Sequence, residues 1–193
     1  MKWFIVSDLH GSALYGRRVL DAYARENADR MLLLGDVLNH GPRNGLPEGY
    51  DPMALAAMLN EKKDDILAVR GNCDSEVDQM ILAFPICADY AILSVGKRMI
   101  FATHGHVYNN AHLPPLHTGD ILLHGHTHLS LCEPHERYTY CNPGSPTFPH
   151  DGHRGYMTLE NETLEWKTLD GTVVRTLSLT ETEPEGIGPD INR

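Results

Sequence analysis

Five apolar segments of this chain each end in a short cluster of Asp, Asn or His residues, and this recurrence constrains the fold more than any other feature. The clusters are Asp8-Leu9-His10, Gly35-Asp36, Gly71-Asn72-Cys73-Asp74, His104-Gly105-His106 and Gly125-His126-Thr127-His128. In open α/β sheets, ligands bind at the carboxyl ends of the strands. The pattern therefore predicts a sheet whose strand ends bring these polar side chains together in one place.

The first half of the chain alternates strand-like and helix-like segments. Strands are predicted over Trp3 to Ser7, Met31 to Leu34 and Ile66 to Val69 from their short apolar runs. Helices are predicted over Ala13 to Glu26 and from Asp51-Pro52 to about Lys63, where proline is tolerated in the first turn. This β-α-β-α-β order predicts parallel strands with helices packed on the sheet.

The second half of the chain consists of short strand-like segments separated by turn signals such as Gly96 and Asp170-Gly171. The predicted strands are Ala88 to Ser94, Lys97 to Thr103, Asp120 to His124, Arg137 to Cys141, Tyr156 to Leu159, Thr163 to Leu169 and Val173 to Leu179. We expect one domain over residues 1–179, with Asn39 to Tyr50 as a loop over the site. The acidic segment from Thr180 to Arg193 is predicted to be a mobile tail.

The composition limits the partners that this chain can have. A formal net charge of −10 argues against an extended nucleic-acid-binding surface. No segment approaches the roughly 18 apolar residues of a membrane span, and the N-terminus has no signal-peptide pattern. The four cysteines form no Cys-x-x-Cys motif and are interpreted as reduced thiols of a cytoplasmic protein. The oligomeric state stays open, with a homo-oligomer among the alternatives.

The polar clusters offer Asp, Asn and His side chains as metal ligands without a thiolate, and we take seven of these side chains as candidate ligands. Residues i and i+2 of an extended segment point to the same side, so each Asp-x-His or His-x-His pair is expected to reach one cavity. This donor set suits Mn²⁺, Mg²⁺, Fe²⁺, Co²⁺, Ni²⁺ or Zn²⁺. Seven ligands are too many for one catalytic ion with open positions, and they fit two ions that share a bridging carboxylate.

The order of these clusters resembles the calcineurin-like metallophosphoesterase superfamily. The Gly71-Asn72-Cys73-Asp74 variant and the later Asn142-Pro-Gly-Ser145 are similar, more closely, to the small bacterial YfcE-type phosphodiesterases. The resemblance covers about residues 1–178. It implies a four-layer α/β/β/α sandwich of two mixed sheets flanked by helices, with a di-metal centre between the sheet edges.

The resemblance also implies which residues hold each metal. Asp8, His10, Asp36 and His128 would bind one ion, and Asp36 would bridge to a second ion completed by Asn72, His104 and His126. Mn²⁺ is the first expectation for both ions, with Mg²⁺, Ni²⁺, Co²⁺, Fe²⁺ and Zn²⁺ as alternatives.

The expected reaction is hydrolysis of a small phosphodiester by in-line attack of a hydroxide that bridges the two metals. The predicted catalytic residues are Asp36, Asn72, His104 and Cys73. Arg43 and His106 are candidate substrate contacts. A solvated side chain is the simpler explanation of Arg43, and a role in holding the loop explains His106 equally well.

Cys73 departs from the pattern of many superfamily members, which carry a histidine there that contacts phosphate or protonates the leaving group. A thiol with an ordinary pKa of about 8.5 is a poorer proton donor at this position. Loss of a general acid typically lowers the rate by about 10²–10⁴-fold. We therefore expect weak activity on monoesters with poor leaving groups and better activity on diesters or activated aryl esters.

Two other functions are compatible with the sequence. One is a phosphomonoesterase or nucleotidase. The other is a non-catalytic metal-binding scaffold, similar to the retromer subunit that has the metallophosphoesterase fold. The presence of all seven candidate ligands favours catalysis over the scaffold.

Overall fold

The computed structural model describes residues 1–180, which form two mixed β-sheets and three helices. The elements in chain order are β1 (Trp3–Val6), α1 (Ala13–Glu26), β2 (Arg30–Leu33), α2 (Pro52–Asn60), β3 (Ile66–Ala68), α3 (Glu76–Ile81), β4 (Tyr90–Val95), β5 (Arg98–Thr103), β6 (Asp120–His124), β7 (Ser130–Pro134), β8 (Tyr138–Pro143), β9 (Gly155–Glu160), β10 (Thr163–Thr168) and β11 (Val173–Ser178). All the predicted strands are present. Of the predicted tail, residues 181–193 lie outside the described part of the chain.

The two sheets have different strand orders. The first is β11-β10-β9-β1-β2-β3, and the second is β4-β5-β6-β8-β7. β1, β2 and β3 run parallel in the first sheet, as do β5, β6 and β8 in the second, and the remaining pairs are antiparallel. The predicted fold class, two mixed sheets with flanking helices, is confirmed.

Strand residues alternate between two cores, as the period of two requires. On β1, Phe4 and Val6 pack against residues of α1 and α2, while Ile5 faces the core between the two sheets. The far face of the second sheet buries Phe101 and Leu122, and the segment between β5 and β6 covers it with side chains that include Leu116.

The helices begin at the capping residues that the sequence provides. At the start of α1, the Ser12 hydroxyl accepts a hydrogen bond from the Tyr15 N–H at 3.2 Å. At the start of α2, Asp51 Oδ1 accepts from the Ala54 N–H at 2.9 Å. The prediction that α2 continues to about Lys63 is wrong. Lys63 donates its N–H to the carbonyl of Asn60, three residues earlier, so the chain tightens into turns after α2 ends.

Two short elements were not predicted. The capping box of α3, formed by Ser75 and Asp78, is a readable signal in the sequence. β7 carries no such signal, because its residues lack β-branched side chains and its order comes from pairing with β8. Within residues 1–180, none of the helices is both long and apolar enough to cross a membrane.

Glu26, at the last turn of α1, is the centre of a partly buried ionic cluster. Its carboxylate accepts hydrogen bonds from Lys2 Nζ at 2.7 Å, Lys167 Nζ at 3.0 Å and the Tyr156 hydroxyl at 2.7 Å. Burial opposes ionisation of Glu26, but these donors outweigh it and lower its pKa to about 2. The cluster ties α1 to β9, β10 and the residue before β1.

We expect Glu26→Gln to lower the free energy of unfolding at pH 7 by about 2 kcal/mol, the typical contribution of charge-assisted hydrogen bonds. The folded-state pKa lies below the ordinary value of 4.5, so this contribution is complete above pH 4.5 and is lost as the pH falls toward about 2. Urea unfolding of the wild type and of Glu26→Gln at several pH values measures this difference in the free energy of unfolding. Glu160→Gln is the matched control, because Glu160 is half exposed and lies 3.7 Å from Lys2. Equal effects of both variants at pH 7 would contradict the assignment.

Candidate metal centre

All five polar clusters begin within three residues of the carboxyl end of a strand, as predicted. Those strands are β1, β2 and β3 in the first sheet and β5 and β6 in the second. The local backbone, however, is not extended. Five of the seven candidate ligands have a positive φ: 58° at Asp8, 49° at His10, 53° at Asp36, 65° at His126 and 58° at His128. The predicted reason for their convergence, i and i+2 spacing on an extended segment, is therefore wrong.

The left-handed backbone at these positions is a source of strain, because side chains at positive φ cost roughly 1 kcal/mol or more each. Such conformations persist only where the surrounding structure imposes them, and they cluster at functional sites. The loops after β1, β2 and β6 therefore hold their side chains in place by tertiary contacts.

The first ligand cluster joins the loops after β1, β2 and β6. His10 Nε2 lies 3.1 Å from His128 Nε2, 3.6 Å from Asp8 Oδ1 and 3.7 Å from Asp36 Oδ2. His128 Nε2 lies 3.2 Å from Asp8 Oδ1. All four side chains are buried, so their polar atoms meet with little water around them.

The second cluster shares Asp36 and joins the loops after β2, β3, β5 and β6. His104 Nε2 lies 3.5 Å from Asp36 Oδ2, 3.0 Å from Asn72 Oδ1 and 3.2 Å from His126 Nδ1. His104 is buried, His126 is half-buried and Asn72 is exposed, so this cluster opens toward solvent. The structure thus brings all seven predicted ligands together around one carboxylate.

The chemistry of these donors fits a divalent cation. His10 Nδ1 hydrogen-bonds the Asn39 carbonyl at 2.9 Å, and His104 Nδ1 hydrogen-bonds the Leu34 carbonyl at 2.7 Å. Because a carbonyl only accepts, each Nδ1 donates and each Nε2 of a neutral ring presents its lone pair to the cluster. Lone pairs of imidazole, carboxylate and amide oxygen therefore converge, and they repel one another unless a positive charge lies among them.

A proton on His104 Nε2 also satisfies this preference for positive charge, and the pKa shifts of the site residues follow from it. Burial disfavours the protonated form of His104, but the hydrogen bond and charge of Asp36, together with Asp8, outweigh it and raise its pKa to about 9. Burial alone would raise the pKa of Asp36, yet the hydrogen bond and charge of His104 hold it below the ordinary value. In Asp8, hydrogen bonds from His10 and His128 likewise overcome burial and lower the pKa. The site favours anionic carboxylates around a cation.

Asp74 positions the Asp36 carboxylate through the backbone, a role that was not predicted from the sequence. Its carboxylate accepts the N–H groups of Asp36 at 2.8 Å, Val37 at 2.9 Å and Gly71 at 2.7 Å. These bonds fasten the loop after β2 to the loop after β3. The place of Asp74 in the strand-end motif was visible in the sequence, but its three backbone partners depend on the tertiary structure.

The Asn142-Pro-Gly-Ser145 segment supports the other loops. Asn142 Nδ2 donates to the Gly125 carbonyl at 2.9 Å, beneath His126. The Ser145 hydroxyl donates to the Asp8 carbonyl at 2.8 Å, and Thr147 Oγ1 donates to the Leu9 carbonyl at 2.9 Å. These buried hydrogen bonds supply part of the tertiary restraint that the strained loops need.

A cavity of about 230 Å³ opens onto both clusters. Its walls include His10, Asp36, Gly41, Pro42, Arg43, Asn44, Asn72, Cys73, His126, His128 and His150. The predicted loop Asn39 to Tyr50 thus contributes to the wall, and Arg43 lies there as an exposed side chain. His106 does not line this cavity. It is exposed, with its ring 5.3 Å from the ring of His104.

Asn44 and His150 also line the cavity, and neither was predicted from the sequence as a site residue. His150 packs against His128 with ring centroids 4.9 Å apart, and its N–H donates to the His128 carbonyl at 2.9 Å. Its sequence neighbours carry no motif, so only the fold reveals its position. A larger cavity of about 550 Å³ lies at the amino ends of β6 and β8, away from the ligand clusters.

Cys73 contributes to the site mainly through its backbone. Its N–H donates to Asp36 Oδ1 at 2.8 Å, and its sulfur accepts from Asn72 Nδ2 at 3.2 Å. Burial and the negative charge of Asp36 raise the pKa of the Cys73 thiol to about 12. The thiol is therefore neutral near pH 7 and is no nucleophile there.

Comparison with known proteins agrees with this geometry. Residues 1–164 match the calcineurin-like phosphoesterase superfamily domain. Phosphodiesterase YfcE of Escherichia coli strain K12 is 47% identical over 165 residues, which cover 85% of this chain and 90% of the relative. The solved structure of the E. coli phosphoesterase YfcE has a TM-score of 0.89 at 43% identity and covers 93% of this chain and 100% of that chain.

A more distant structure shows likeness of fold alone. Vps29 of Entamoeba histolytica, solved in complex with Zn²⁺, has a TM-score of 0.57 at 21% identity and covers 93% of this chain and 100% of that chain. The chain described here belongs to the calcineurin-like phosphoesterase superfamily. The predicted resemblance to YfcE-type phosphodiesterases within that superfamily is confirmed.

Because the donor lone pairs repel one another without a cation, we expect divalent metal to stabilise chelator-treated protein. The expected increase in the free energy of unfolding is about 2.7 kcal/mol at a free metal concentration of roughly 100 Kd. Asp36→Asn should lose most of this gain, since it removes the charge shared by both clusters. Thermal unfolding with and without Mn²⁺ measures the effect, and the exposed Asp21→Asn on α1 is the control. An equal metal-induced shift in wild type and Asp36→Asn would refute the shared role.

Proposed function

We propose that this chain is a metal-dependent phosphodiesterase that hydrolyses small phosphodiesters at the cavity described above. The supporting observation is the convergence of seven oxygen and nitrogen donors on the Asp36 carboxylate. The chain is also 47% identical to a phosphodiesterase over most of its length.

The proposal assigns the donors to two divalent cations, with Mn²⁺ as the first choice. Asp8, His10, Asp36 and His128 hold one cation, and Asp36, Asn72, His104 and His126 hold the other. Bound there, divalent cations neutralise charge on the phosphoryl oxygens and lower the pKa of coordinated water.

The protein's own residues orient this chemistry. Asp74 holds the backbone N–H of Asp36, and the Cys73 N–H donates to Asp36 Oδ1, so that Oδ2 is the oxygen that faces His10 and His104. Arg43, at the cavity wall, would provide a positive charge for a phosphate oxygen of the substrate. His106, outside the cavity wall, is assigned to contact the part of the substrate that extends past His104.

The size of the cavity favours a small substrate. Its volume of about 230 Å³ is below the roughly 300–1,000 Å³ of pockets that enclose drug-sized ligands. With a net charge of −10, the chain has little positive surface for an extended nucleic acid to bind.

We place the reaction in the cytoplasm, where the free thiols of all four cysteines are stable. All proposed ligands belong to one chain, so the reaction does not require a homo-oligomer.

The neutral Cys73 thiol favours diesters over monoesters. With a pKa near 12 it is a weak acid, and it gives little help to a poor alkoxide leaving group. A diester with a good leaving group needs less protonation. The monoesterase alternative would require another proton donor at the cavity.

We expect bis(p-nitrophenyl) phosphate to be hydrolysed with a higher kcat/KM than p-nitrophenyl phosphate after metal is restored to chelator-treated protein. Both substrates release the same chromophore, so the comparison isolates the second ester group. Readdition of Mn²⁺, Mg²⁺, Ni²⁺ or Zn²⁺ in separate assays ranks the metals. A preference for the monoester would favour the phosphomonoesterase, and no activity with any metal would favour the scaffold.

Asp36→Ala should lower kcat/KM for the diester by on the order of 10³-fold or more, because both cations lose their common ligand. Cys73→Ala should lower it by less than about 10²-fold, since the N–H that holds Asp36 remains and the weakly acidic thiol is not an effective general acid. Steady-state kinetics, with metal content measured on the same samples, separate the two effects. Wild-type turnover and metal content in Asp36→Ala would contradict the proposed site.

A further inference from the structure

Two cysteines outside the metal centre face each other at the edge of the second sheet. Cys132 on β7 is registered directly opposite Cys141 on β8, and both thiols are free. Directly opposite residues of an antiparallel pair project from the same face, with Cβ atoms about 4.5–5.5 Å apart. Both side chains pack against the core between the two sheets. The two sulfur atoms are therefore close neighbours.

The hydrogen-bond pattern of the β7–β8 hairpin places the two cysteines at a non-hydrogen-bonded position. The His135 N–H donates to the Tyr138 carbonyl at 2.8 Å, so that pair is of the hydrogen-bonded kind. The two kinds alternate along an antiparallel ladder, and Pro134, which has no N–H, falls at the next, non-hydrogen-bonded place. Cys132 and Cys141 pair two positions further along the ladder, which is again a non-hydrogen-bonded position. Cα atoms there are about 4.5 Å apart, within the range of disulfides.

The two thiols differ in access and in acidity. Cys132 is half-buried on an edge strand, whereas Cys141 has no exposed surface. A hydrogen bond from Cys141 lowers the pKa of the Cys132 thiol to about 7, against the effect of burial, and Arg175 acts in the same direction. Burial and the neighbouring Cys132 raise the pKa of Cys141. One thiol thus belongs to a partly exposed residue and is partly ionised at neutral pH, and its partner is a buried proton donor.

We propose that Cys132 and Cys141 form a thiol–disulfide exchange site for low-molecular-weight disulfides of the glutathione type. The Cys132 thiolate attacks one sulfur of the small disulfide, forms a mixed disulfide and releases one small thiolate. Cys141 then attacks Cys132 Sγ, its proton passes to the leaving sulfur, and a small thiol departs. Two protein thiols are oxidised to one disulfide, and one small disulfide is reduced to two thiol equivalents.

The bond would connect two strands that border the metal centre. β7 begins shortly after His128, and Cys141 directly precedes Asn142, whose amide supports the Gly125 carbonyl. The disulfide would therefore tie the strand that follows the His126–His128 loop to the strand that supports it. A cross-link here closes a short loop of chain and restricts the unfolded state.

The experiment treats reduced, desalted full-length protein with glutathione disulfide, traps remaining thiols by alkylation and maps the peptides by mass spectrometry. We expect a Cys132–Cys141 linked peptide that has lost the mass of two hydrogen atoms and that dithiothreitol restores. We also expect the oxidised protein to unfold at a higher temperature than the reduced protein. The exposed Cys87 is an internal control for formation of the glutathione adduct.

Two variants test the order of attack. Cys141→Ala should stop at a stable glutathione adduct on Cys132, and Cys132→Ala should leave the buried Cys141 unmodified. The proposal is overturned if wild-type Cys132 accumulates as a glutathione adduct, or if Cys87 reacts while both Cys132 and Cys141 are recovered fully alkylated. The wild-type peptide map decides between these results even if a variant does not fold.

Discussion

The carboxylate of Asp36 lies where the two sheets meet, and the candidate site depends on where it is held. His10, after β1, approaches it from one side, and His104, after β5 of the other sheet, approaches it from the other. Its own backbone is fastened by Asp74, and its second oxygen is occupied by the Cys73 N–H. One carboxylate thus connects the ends of four strands, and any shift of one sheet against the other would pull apart the residues within each ligand cluster.

Holding so many lone pairs together is unfavourable without a cation, and the fold opposes this repulsion with buried hydrogen bonds. Ser145 and Thr147 hold the loop after β1, and Asn142 holds the loop after β6. These groups are buried, where an unpaired donor or acceptor costs about 1–3 kcal/mol, so each bond is expensive to break. The strained backbone at the ligands is therefore stabilised by residues that do not line the cavity.

The order of strands and helices could be predicted from the sequence, because the spacing of apolar residues indicates whether a strand or helix is buried on one face or on both. α1 was predicted with its observed ends, since Ser12 and the apolar stripe mark it clearly. The end of α2 was placed too late, because the turns after Asn60 keep a helix-like composition. β7 could not be found, since an edge strand with no apolar pattern gains its structure from pairing with β8.

The sequence by itself determined the chemical identity of the candidate site, because residue types and their position after apolar strands are local properties. It named all seven donors and the loop that forms part of the cavity wall. Only the tertiary structure decided how they meet: through left-handed backbone rather than extended strands, with Asp74 and Asn142 as supports and His150 beside His128. Those contacts join residues far apart in the chain, and their geometry follows from how the two sheets pack, which no local pattern encodes.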